Sequence, residues 1–174
     1  MSARQIRGCL LAIAAGTGVA LAGCASSSIQ TDATTFLNEH AVTATRVAVA
    51  TKAVAAAASR LSSSPSRSQL EQLAHAAAQA RRSSVLAGEW NVAKSGEGGE
   101  EGVEEEDLPR AETEATESAN ELAGAMAALE AYTRAPTEAA FARYQSKLAH
   151  GREVWDESIA EIWHLANHSS PPIV

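Results

Sequence analysis

Four stretches of this 174-residue chain repeat apolar side chains at steps of three and four, and alanine is the commonest residue at those positions. That spacing returns to one face of an α-helix at every turn, so it dictates amphipathic helices rather than strands, whose side chains alternate in twos. The first helix is expected over residues 33–61, with Phe36, His40, Thr43, Val47, Ala50, Val54, Ala57 and Leu61 inward. Asp32 is its expected N-cap, and Ser62-Ser63-Ser64-Pro65 its end. Ser68 and Glu71 have the spacing of a capping box. They open a second helix that runs to about Ala93, with Leu70, Leu73, Ala77, Ala80, Ser84 and Ala87 inward and Val85, Leu86 and Trp90 widening the face.

Residues 94–108 break the pattern with four glycines and the run Glu104-Glu105-Glu106-Asp107, a composition that cannot bury enough apolar surface to order itself. Pro109 then suits a first helical turn. The third helix follows, with Ala111, Ala115, Ser118, Leu122, Ala125, Leu129 and Tyr132 in register. Its early Glu112, Glu114 and Glu117 meet the positive end of the helix dipole. Pro136 starts a fourth helix carrying Phe141, Tyr144, Leu148, Gly151, Trp155, Ile159, Ile162 and Ala166.

Four helices joined by short, long and short connections define an all-α fold, an antiparallel up-down four-helix bundle over residues 32–168. The long acidic flexible loop, residues 94–108, lies between helices two and three, and residues 169–174 form a tail. The topology gathers Phe36, Trp90, Trp155 and Trp163 at one end and Tyr132, Phe141 and Tyr144 at the other. Alanine fills the middle layers. A buried methylene contributes only about 0.8 kcal/mol, so modest stability is expected.

The N-terminus has a different character. Arg4 and Arg7 precede an apolar or small-residue run from Gly8 to Ala22, which is the pattern of a secretory signal and too short for a stable bilayer span. The run closes on Leu21-Ala22-Gly23-Cys24. This ending resembles the lipobox of bacterial lipoproteins. The resemblance implies cleavage after Gly23 at residues 1–23, a lipid such as palmitate on Cys24, and a tether over residues 24–31. A cell-membrane location on the extracytoplasmic face follows, with the outer membrane open where the source has two. Ala25, not aspartate, stands second in the mature chain, so that inner-membrane retention signal is missing.

Loss of Arg4 and Arg7 with the signal moves the net charge from −7 to −9 over the remaining 151 residues. A charge of that sign argues against nucleic-acid binding, which needs a basic footprint. Cys9 leaves with the signal and Cys24 takes the lipid, so no thiol remains for a disulfide, a metal cage or a nucleophile. No Gly-x-Ser-x-Gly elbow and no phosphate-cradling glycine loop is present, and the expectation is a non-enzymatic protein.

Among candidate ligands, Glu161-Ile162-Trp163-His164 has the Glu-x-x-His step, which resembles one half-site of the ferritin-like di-iron proteins. The second step is missing, because His75 follows Glu71 by four. Glu157, Glu161, His164 and His168 share a face opposite Trp155, Ile159, Ile162 and Ala166, so they point to solvent. The alternative to a solvated face is a surface transition-metal site of Glu161, His164 and His168. His40, on an apolar stripe, reads as a hydrogen-bonded interior or boundary residue. Phe36, Trp90, Trp155 and Trp163 read as the large core of one end, with a ligand pocket or a membrane headgroup contact as alternatives and Trp163 the most exposed. No cofactor is expected beyond the covalent lipid. The function these features favour is a membrane-anchored binding or scaffolding domain of the cell envelope, held by its lipid and partnered by another envelope protein.

Overall fold

Alanine and glycine at inward positions let helices approach closely, and the computed structural model has the helices such a pattern calls for. It describes residues 16–90 and 107–166, with side chains from Ile29 onward in the first segment. The elements are α1 (Gly16–Ser59), α2 (Arg67–Gly88), α3 (Asp107–Arg134) and α4 (Glu138–Leu165), and the described residues contain no strand. They pack as an antiparallel up-down four-helix bundle. Residue pairs across neighbours run in opposite directions: Arg81 of α2 meets Glu130 of α3, and Arg110 at the start of α3 meets Glu161 near the end of α4.

The core divides in two. At one end Phe36, Leu37, Val47, Trp90, Leu122, Trp155, Ile159 and Ile162 pack together. At the other, Val54, Leu73, Met126, Leu129 and Tyr144 form a second cluster. Alanines line both. The expected inward positions of α2, α3 and α4 are buried or half-buried throughout.

Several boundaries differ from expectation. Helix α1 does not start at an Asp32 cap, because its backbone is helical from Gly16 through residues 24–31, which the sequence marks as a tether. Nothing in that small-residue run breaks a helix. Thr34 and Thr35 donate their hydroxyls to the carbonyls of Gln30 and Thr31, and Ile29 packs on the core. The inward stripe of α1 is also shifted by one residue in places. Ala44, Thr51 and Ala58 are buried where Thr43, Ala50 and Ala57 were expected, while Val42 and Val49 face out.

The capping box is built from Ser66 and Gln69, two residues earlier than Ser68 and Glu71. Glu71 instead pairs with Arg67, 2.8 Å away. Helix α2 stops at Gly88, short of Ala93, and Val85 and Leu86 are exposed rather than widening the core face. Thr137 caps α4, so Pro136 precedes the cap rather than opening the helix. Asp107 and Leu108 belong to the first turn of α3. The rest of the acidic loop and the tail from residue 167 lie outside the described residues.

Candidate functional site

Helix α2 ends where α1 begins its inward stripe, so Trp90 is carried against Phe36 and His40 and across to Trp155 of α4. The Phe36 and Trp90 rings meet edge to face at 5.4 Å, and the His40 imidazole stacks on Trp90 at 4.6 Å with 23° between planes. His40 also meets Phe36 at 4.6 Å, and Trp155 lies 5.7 Å from Trp90. Trp163 is the most exposed of the four, as expected, half-buried against the same cluster while the other three are buried. Burial pushes the His40 pKa down, and Glu39 pulls it partly back. The four sequence-selected aromatics therefore come together, and they spend their area on one another as a core.

The polar cluster of α4 is assembled differently. Antiparallel pairing sets the first turn of α3 beside the last turns of α4, and Arg110 Nη2 donates to Glu161 Oε1 at 2.6 Å. The same guanidinium reaches Asp107 at 3.3 Å and Glu114 at 3.9 Å. Glu161, foremost among these, holds Arg110 above its ordinary pKa. Glu161 thus points across a helix interface and not straight to solvent as expected, and its side chain is only 31% exposed. His164 is exposed one turn on, and His168 lies outside the described residues. No group of three or more histidine, cysteine or acidic side chains among the described residues is placed to hold a metal ion. Gly23 and Cys24 are on the α1 backbone, and the Cys24 side chain lies outside the description.

A sizeable concavity lies at the opposite end. Between the C-terminal turns of α1 and the first half of α4 is an open groove of about 860 Å³. Ala55, Ala58 and Leu61 line one wall, Phe141, Leu148 and Ala149 the other, and Tyr132 and Tyr144 complete it. The aromatic side is continuous, with Tyr132 and Phe141 at 5.0 Å and Phe141 and Tyr144 at 5.7 Å. Tyr144 is 2% exposed, and its hydroxyl has no hydrogen-bond partner among the described residues. Burial raises its pKa to about 12, against a smaller opposing pull from Arg152, so the phenol keeps its proton at neutral pH.

The sequence marked Tyr132, Phe141 and Tyr144 as aromatics of the distal end without singling them out as a site. It gave no sign of Arg152, which sits on the groove's rim beside Asp156. The one available signal was the placement of all three aromatic residues at the end with the shorter inter-helix turns. Compared with protein-family models, curated proteins and solved structures, the chain matches none.

Proposed function

We propose that this chain is a lipid-anchored, extracytoplasmic lipoprotein whose helical bundle serves as a non-enzymatic binding or scaffolding domain of the cell envelope. The anchor reading rests on Leu21-Ala22-Gly23-Cys24 behind its basic, apolar leader. The binding reading is supported by one observation above the rest, the open groove of about 860 Å³ between α1 and α4, where Ala58, Leu61, Phe141 and Leu148 lie among polar residues such as Ser59, Thr137, Glu138 and Gln145. Its volume is within the range of small-molecule sites, roughly 300–1,000 Å³.

Radiolabelled palmitate fed to the producing cell is expected to mark the wild-type protein. Cys24→Ser should lose both the label and its place in the membrane fraction. A variant that stays in the membrane fraction as firmly as the wild type would sink the anchor. Transition-metal binding through Glu161, His164 and His168 is the weaker proposal, because Arg110 already engages Glu161. Calorimetry with zinc and copper checks it, and identical traces for wild type and His164→Ala would remove it.

A further inference from the structure

Among the described residues, the serines and threonines that lie outside helices are Ser62, Ser63, Ser64, Ser66 and Thr137. Two of them are helix caps. The Ser66 hydroxyl oxygen accepts from the Gln69 N–H at 3.3 Å, and that of Thr137 from the Ala140 N–H at 3.2 Å. Ser62, Ser63 and Ser64 carry no such duty. Each is exposed, and no hydrogen bond among the described residues uses its hydroxyl. Ser59, one turn earlier on α1, still donates back to the Ala56 carbonyl at 3.0 Å.

The backbone of this turn is equally unengaged. The bonds that close α1 run from the Arg60 and Leu61 N–H groups to the carbonyls of Ala57 and Ala58, and the next runs from Leu70 to Ser66. Residues 62–65 have no backbone bond between those two sets. Pro65 keeps them so, because it offers no N–H and its ring pushes the residue before it, Ser64, toward extended backbone. An extended and exposed serine can be drawn into the cleft of a modifying enzyme, and serine-rich segments with proline are the composition on which O-linked sugars are carried. A sugar on Ser66 would cost α2 its cap. Ser62 and Ser63 border the groove between α1 and α4, whereas Ser64 is not one of its walls.

We propose that the turn between α1 and α2 is a site of O-glycosylation, with the Ser64 hydroxyl the foremost acceptor and Ser62 and Ser63 secondary ones. This rests on the reading of the chain as exported and is independent of its lipid. Outside the cytoplasm the sugar donor is a glycosyl phosphate carried on a membrane lipid. The serine oxygen forms a bond to the anomeric carbon as the bond from that carbon to the phosphate oxygen breaks. The phosphate leaves with the electron pair, and the hydroxyl proton is released to solvent. A phosphoryl group has no nucleoside triphosphate donor on that side.

The full chain is taken from the producing cell, unfolded and digested with trypsin. Cuts after Arg60 and Arg67 isolate residues 61–67 as one peptide, which holds all four serines of the turn. Mass spectrometry with electron-transfer fragmentation is expected to find one or more sugar residues on Ser62, Ser63 or Ser64 and none on Ser66. Ser64→Ala should lose the largest share of the sugar. Ser64→Thr, which keeps a hydroxyl, should retain it. The triple replacement of Ser62, Ser63 and Ser64 by alanine should lose it all, with the melting temperature of the bundle unchanged because none of the three makes a bond.

Sugar on Ser66 in preference to the other three would overturn the assignment, as would a phosphoryl mass in place of a sugar. Palmitate labelling of the same preparation reports export separately. A labelled protein with a bare 61–67 peptide removes the sugar and leaves the anchor. A glycosylated peptide on a protein that takes no palmitate leaves the sugar and removes the anchor.

Discussion

A hydroxyl that leaves water without finding a partner weakens the fold by its lost hydration. Ser84 is such a group, fully buried on the inner face of α2 with no hydrogen-bond partner for its Oγ among the described residues. Replacing it with alanine deletes the unsatisfied atom and improves helix propensity, at the expense of a space smaller than a methyl group. Ser84→Ala is therefore expected to gain about 1 kcal/mol in urea unfolding, against the usual direction of core substitutions. Glu112 gives a second residue-scale expectation. Burial, and then the nearby carboxylate of Asp32, raise its pKa above 4.5. The folded state therefore holds the proton more tightly than the unfolded one. The penalty is absent well below pH 4.5, builds as pH rises from there toward the folded value, and is complete above it. Glu112→Gln should stabilise the protein at pH 7 by a few tenths of a kcal/mol, a figure discounted for the solvent around a half-exposed group. Thermal melts at pH 4 should show that gain gone.

At the scale of the element, the contact between α3 and α4 depends on Gly151. A Cβ built there would lie 3.2 Å from Leu122 Cδ2 and 3.3 Å from the Leu122 backbone nitrogen, which cannot swing aside as a side chain can. Gly124, on the α3 side, would meet only Lys147 Nζ at 3.7 Å. Both positions carry the same helix-propensity penalty for glycine, so comparing them isolates packing. Gly124→Ala should gain about 0.5–1 kcal/mol. Gly151→Ala should lose about 1 kcal/mol, the overpacking cost exceeding that gain. Equal shifts in denaturant midpoint would show that the helices are not in close contact at Gly151. This level was also the most readable in the sequence. A period near 3.6 survives errors of one residue, and Leu73, Leu122, Trp155 and Ile162 fell on the inner faces as their spacing required. Ends were harder. Ser66 and Ser68 are equally good caps by composition, and the choice falls to which acceptor, Gln69 or Glu71, has a competing partner. Arg67 occupies Glu71, so Ser66 and Gln69 form the box. The start of α1 was misjudged for a related reason. Small polar residues favour a loop when isolated, yet they continue a helix already nucleated on either side, with Thr34 and Thr35 bonded back into it.

For the molecule as a whole, the groove was out of reach of the sequence because it depends on how closely neighbouring helices approach, and periodicity fixes faces, not separations or crossing angles. The aromatic end was legible because Trp90 and Phe36 lie at facing ends of consecutive antiparallel helices, whatever that angle. The continuity of α1 has a further consequence for how the molecule would stand on a membrane. A chain over residues 24–31 running extended would let the bundle drift up to about 25 Å and tumble. Eight helical residues rise about 12 Å, and they belong to the same rod that enters the core. If Cys24 carries a lipid, the end with Phe36, Trp90 and Trp155 is held close to the bilayer while the turn between α1 and α2 stands roughly 40 Å further out, the rise of the following helix. Single cysteines replacing the exposed His164 and Ser63 sample these two ends. With a fluorophore on each and an energy acceptor on the lipid headgroups, transfer is expected to be strong from position 164 and weak from position 63. Replacing Ala25-Ser26 with Gly-Pro breaks the rod, and the bundle then samples many orientations, so the two efficiencies should converge. Equal transfer from both positions in the unaltered protein would mean that α1 does not act as a stalk.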